Sequence, residues 1–123
     1  MPTPNFRAVH PILPSQDVRR SIEYYTERLG FRLAFQDNAD APGYAGVIRD
    51  SVELHLQWHD PAEWDLACPS LRFLVADVDA LFEEFKDRGV FHEQTALRDT
   101  AWGTREFAFF DPYKNGLTFY RDL

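Results

Sequence analysis

The chain has 123 residues, 45% of them hydrophobic, enough for one ordinary core and too few for two independent domains. Thirteen Lys and Arg against twenty Asp and Glu leave a net charge of −7, whose field repels polyanions, so neither nucleic acid nor an anionic membrane is expected as a partner. No run approaches the roughly twenty apolar residues of a membrane span, the opening segment lacks a secretory apolar stretch, and the single cysteine, Cys68, has no second thiol for a disulfide or a thiolate metal site; a cytoplasmic protein is expected.

In chain order, a short apolar strand near residues 8–13 comes first. A helix over 17–29 follows, because Val18, Ile22, Tyr25 and Leu29 fall on one face, with Asp17 at the N-cap and Gly30 where a left-handed residue ends a helix. Strands are predicted over 31–36, 44–49 and 52–58, the last two joined by the polar turn 49–51.

About sixty residues on, the pattern recurs: a strand over 70–76, a helix over 77–88 opened by Asp77 and closed by Gly89, then strands near 90–97, 105–110 and 116–121 with a turn at 111–115. Val78, Leu81, Phe82 and Phe85 form its apolar face. The chain therefore reads as α+β, two βαβββ repeats over about 1–65 and 66–123 within a single 1–123 domain. Their curved mixed sheets should enclose a concave site. Aromatic residues make up 15% of the chain, more than such a core needs, and some are expected to line that site.

Two repeats with a strand, an Asp-capped helix, Leu29-Gly30-Phe31 and a closing Asp111-Pro112-Tyr113-Lys114-Asn115 turn resemble the vicinal oxygen chelate (glyoxalase-like) superfamily over nearly the whole chain. Within it, Phe35, the run Tyr44-Ala45-Gly46-Val47-Ile48-Arg49-Asp50 and above all Trp102-Gly103-Thr104-Arg105-Glu106-Phe107-Ala108 are similar to the bleomycin-resistance proteins. Thr104 and the long 37–43 segment depart from the pattern near the expected pocket rim.

The resemblance implies a binding protein and not an enzyme, one that sequesters a bleomycin-type antibiotic and so confers resistance. Tyr44 and Trp102 occupy the places that sandwich the drug's planar rings, and Phe35 matches another pocket aromatic. Taken as residues alone, Tyr44 can equally be a core strand residue, Trp102 a loop tryptophan, and Asp37 and Asp40, candidates for attracting a cationic drug, a solvated turn. Trp58 and Trp64, near the segment joining the halves, are assigned to packing or a dimer interface, with a place in the groove as the alternative.

The superfamily's metal-dependent members take ligands from four places, here His10, Glu53, Ser70 and Thr118. Two neutral hydroxyls leave that set incomplete, and His55, on the same strand face as Glu53, is not expected to join it without distortion. No metal and no cofactor are expected. His59 and His92 are expected at the solvent-exposed ends of strands. Pro11 matches a hinge at which the first strand crosses to a second copy, so a homodimer with strand exchange is expected. A metal-dependent lyase, isomerase or transferase of the superfamily and a binder of some other small molecule are the alternatives.

Overall fold

The computed structural model describes residues 3–63 and 69–123; Trp64 and Cys68 lie outside them. Local chemistry sets both helices. Asp17 is extended and its carboxylate accepts the Arg20 N–H, opening α1 (Val18–Glu23), and Asp77 does the same for Ala80 at the start of α2 (Val78–Phe85). Beyond Glu23 the first helix widens into a π-helical turn, Tyr24–Arg28, before Gly30 ends it at φ +76°. The second helix stops at Phe85, three residues short of the expected 88, and a turn over 86–89, in which Arg88 donates its N–H to the Phe85 carbonyl, leads to Gly89 at φ +71°.

The strands form two separate four-stranded sheets with one topology. The first runs β1-β4-β3-β2, from β1 (Ile12–Ser15), β2 (Arg32–Gln36), β3 (Tyr44–Arg49) and β4 (Val52–Trp58). The second runs β5-β8-β7-β6, from β5 (Ser70–Leu74), β6 (Arg98–Asp99), β7 (Thr104–Phe110) and β8 (Gly116–Asp122). In each, the first strand lies parallel to the last and the other pairs are antiparallel. A short 3-10 turn, Pro61–Glu63, follows β4. No helix among the described residues is long and apolar enough to cross a membrane.

Several strands differ from expectation: β5 stops at Leu74, two residues short of 76, and β2 and β8 each shift one end by a residue. β1 begins at Ile12, since Pro11 contributes only its carbonyl, which accepts the His55 N–H at 2.9 Å, and residues 3–10 lie exposed outside the sheet. The stretch 90–97 is not a strand. Thr95 donates its N–H to the His92 carbonyl and its hydroxyl accepts the His92 N–H, so a local turn takes the groups a ladder would need, and pairing waits until Arg98. β7 begins one residue early, at Thr104.

Each helix packs on one face of its sheet. Leu13, Tyr25, Leu29, Val47, Leu54 and Leu56 are buried in the first half. In the second, Phe85, Phe107, Phe109 and Phe119 pack ring against ring, with centroids 5.3–6.4 Å apart. Much of the aromatic excess therefore belongs to the core.

Polar contacts join the halves. The Tyr25 hydroxyl donates to Asp111 Oδ2 at 2.8 Å, and the same carboxyl accepts the Asn115 side-chain amide and the N–H groups of Tyr113 and Asn115. Burial raises the Asp111 carboxyl above its ordinary range despite these donors. Asn115 also reaches the Pro14 carbonyl at 3.1 Å. Arg49 forks onto Glu84 at 2.8 and 2.9 Å. Arg28 and Arg88 each donate to the other's backbone carbonyl, at 2.7 and 3.0 Å.

Candidate ligand-binding site

On a strand, alternate residues share a face. The β3–β4 register sets Tyr44 opposite Gln57, Gly46 opposite His55 and Ile48 opposite Glu53, all on the face of the first sheet turned away from its core. An irregularity between Leu33 and Phe35 shifts β2 so that Phe35 lies across from Gly46. A Cβ on Gly46 would come within 2.2 Å of the Phe35 ring, so the absent side chain is what lets that ring lie on the strand.

The result is a shelf of rings. Phe35 and Tyr44 stack with centroids 6.1 Å apart and planes 21° from parallel. His55 meets both edge-on, at 5.2 and 5.4 Å. The Tyr44 hydroxyl lies 2.7 Å from His55 Nδ1, and His55 Nε2 lies 2.7 Å from Glu53 Oε2. An ionised carboxylate only accepts, so Nε2 carries the proton and Nδ1 accepts from Tyr44. His10 stacks on His55 at 5.0 Å, its Nε2 3.7 Å from Glu53 Oε2. The hydrogen bond from His55 holds the Glu53 carboxyl below its ordinary range.

Glu53 and His55 are not expected both to approach one ion in the superfamily's arrangement without distortion; in the structure their side chains do meet. Two residues apart on one strand, the long Glu53 side chain leans along the strand to meet the imidazole, and ligand atoms of His10, Glu53 and His55 lie within 4.8 Å of one another. Strand alternation puts 53, 55 and 57 on the same face as Tyr44, and this is the sequence signal for His55. Ser70 and Thr118 stand on β5 and β8 and offer only neutral hydroxyls, so the four-place set does not fit a catalytic divalent ion.

Trp102 is apart from this shelf. It sits in the turn between β6 and β7 with 69% of its surface exposed, outside the ring contacts that join Phe35, Tyr44, His55 and His10. The turn is tightly made: Gly103 has φ +88°, Thr104 donates its N–H to the Thr100 hydroxyl, and the Thr104 hydroxyl lies 2.8 Å from that of Thr100 and 3.3 Å from Glu106. Thr104, the departure from the family pattern, is buried and braces this turn. On the second sheet's open face, Arg72 pairs with Glu106 at 2.9 Å and covers the Tyr120 ring at 4.3 Å. Sequence reasoning did not single out this pair.

Asp37 belongs to its loop, accepting the Gly43 N–H at 2.9 Å, a bond that holds its carboxyl below the ordinary range. Arg19 ties the backbone carbonyls of Ala39 and Asp40. Trp58 ends β4 half exposed. His92 is exposed as expected, yet its Nε2 accepts the Phe110 N–H at 2.9 Å.

Comparison with known proteins agrees with this architecture. Curated bleomycin resistance proteins of Geobacillus stearothermophilus and Staphylococcus aureus are each 29% identical over 129 aligned positions, covering 92% of this chain and 95% of theirs. The bleomycin-binding protein of Streptomyces verticillus, solved with copper(II)-bleomycin, superposes with a TM-score of 0.79 at 27% identity over 95% of this chain and 97% of that one. The bleomycin resistance determinant of transposon Tn5 shares the fold, with a TM-score of 0.81 at 23% identity, covering 95% and 98%. Residues 7–119 match the family model as well, and the chain belongs to the Glyoxalase/Bleomycin resistance protein/Dioxygenase superfamily.

Proposed function

We propose that this protein binds a bleomycin-type antibiotic and sequesters it stoichiometrically, breaking no bond. The observation that carries the reading is the Phe35–Tyr44 shelf on an open sheet face, in a chain whose curated relatives are bleomycin resistance proteins. Planar heteroaromatic rings gain roughly 0.5–1.5 kcal/mol per stacked pair beyond the area they bury, and a net charge of −7 favours approach of a cationic ligand.

The shelf is half a clamp. Phe35, Ile12, Leu74, Phe110 and Trp102 are all exposed in the single chain, and the arm before Pro11 presents Phe6 and Val9 fully to solvent. A homodimer, its first strand exchanged at the Pro11 hinge, covers these side chains and brings Trp102 of the partner subunit toward Tyr44 and Phe35. Ligand binding is assigned to Phe35, Tyr44 and Trp102.

Calorimetric titration with metal-free and copper-loaded bleomycin tests the function. Saturation at one drug per chain, with the drug recovered at unchanged mass, is the expected result. Absence of saturable binding to either form would overturn the assignment, and a changed drug mass would make the protein an enzyme.

A further inference from the structure

We propose that His10, Glu53 and His55 form a divalent-cation site contained entirely in the first half of the chain. Two imidazoles and a carboxylate are the donor set that borderline cations such as Zn²⁺ take, and three protein donors leave a further position for water or a ligand. Donors around a tetrahedral ion with bonds of about 2.0–2.1 Å stand roughly 3.3 Å apart. The spacings here, 2.7 Å from His55 Nε2 to Glu53 Oε2 and 3.7 Å from His10 Nε2 to the same oxygen, lie on either side of that value. All three ligand atoms lie within 4.8 Å of one another, on side chains that are 16–37% exposed.

The surroundings suit an ion. A cation at Nε2 displaces the proton that now bridges to Glu53, and the imidazole takes its other tautomer, with the proton on Nδ1. Tyr44 already lies 2.7 Å from Nδ1, and its hydroxyl turns from donor to acceptor without moving. A partner on the second ring nitrogen is what fixes a metal-bound histidine in orientation. The backbone supplies rigidity, since Glu53 and His55 stand on β4 between β1 and β3.

This site differs from the superfamily's four-place set, which draws on both halves: Ser70 and Thr118 take no part. The expectation of no metal rests on those four places and on His55 not joining them without distortion. The site adjoins the aromatic shelf through Tyr44 and His55, but its test uses no drug, so its failure and that of the drug-binding reading are distinguishable.

Metal-stripped protein would be titrated with Zn²⁺ calorimetrically and with Co²⁺ by visible absorption. One ion per chain is expected, with His55→Gln and Glu53→Gln each weakening Zn²⁺ at least tenfold while the melting temperature of the metal-free protein holds. The double variant Ser70→Ala/Thr118→Ala should bind as the parent does. Failure of the folded parent to saturate, undiminished binding by both His55→Gln and Glu53→Gln, or loss of binding in the Ser70/Thr118 variant would overturn the site.

Discussion

Gly46→Ala puts the shelf under direct strain. The new methyl would stand 2.2, 2.8 and 2.9 Å from three atoms of the Phe35 ring, all closer than real Cβ contacts, so the ring must leave its place by about an ångström or more. Phe35 is 42% exposed and can swing into solvent, which bounds the damage. Lost are its stack on Tyr44 and its edge contact with His55, each worth roughly 0.5–1.5 kcal/mol. Replacing a strand glycine by alanine returns about 0.4–1 kcal/mol through the unfolded chain. The net change in stability should therefore be about 1 kcal/mol, a few degrees in melting temperature for a chain of this size. Bleomycin affinity should fall roughly three- to tenfold, the loss of one stacking face. Calorimetry and thermal melting of the one variant give both numbers. Unchanged affinity with a displaced ring would remove Phe35 from the binding surface, and a loss of about 4 kcal/mol or more in stability would make it a core residue instead.

Trp102→Ala should cost roughly 1–3 kcal/mol of drug binding while hardly moving the melting temperature, because the side chain is mostly exposed; a melting drop of many degrees would assign it to the core. Sedimentation at micromolar concentration should give twice 14.4 kDa, and removing residues before Pro11 should shift the protein toward monomer; a persistent monomer that still binds drug would refute the exchanged dimer. Acid should weaken the fold through Glu84, whose carboxyl is held below its ordinary range first by the hydrogen bond from Arg49. A depressed folded pKa means that this contribution is complete above the unfolded value near ~4.3 and disappears as pH falls through the lower folded value. Urea denaturation of Glu84→Gln should show a flatter acid limb than the parent, and an identical limb would show that the Arg49–Glu84 pair carries no stability.

What was legible in the sequence was what short-range chemistry decides. Asp17, Asp77 and Gly30 mark helix ends because caps and left-handed residues act within one turn, and β3 and β4 end where expected because the polar turn at 49–51 closes their hairpin; α2 stops short of Gly89. The 90–97 segment was misread because Val90 and Phe91 are apolar for a different reason: Val90 is buried in the core, and Phe91 packs against Phe82 and Phe107 from irregular backbone. In the site, Phe35 and Tyr44 came from resemblance, and their stacking from a strand irregularity no pattern announces. His55 was undervalued because strand geometry fixes where Cβ points and leaves open how far a glutamate can reach. Trp102 came from resemblance too, and it stands exposed in the β6–β7 turn, apart from the shelf in the single chain.

The reciprocal bonds of Arg28 and Arg88 are sixty residues apart in sequence and equivalent in the two repeats. A contact in which each of two matching residues does to the other what is done to it is the signature of an isologous pair of subunits. One chain thus behaves at this seam as a dimer of halves whose linker happens to be covalent. Among the described residues no strand ladder crosses the seam, so the halves are free to diverge: one keeps a phenylalanine-packed interior beneath an arginine–glutamate pair, and the other sets glycine against an aromatic ring to leave a face open. A duplicated fold can in this way acquire a new surface on one copy while the other preserves the packing that both inherited.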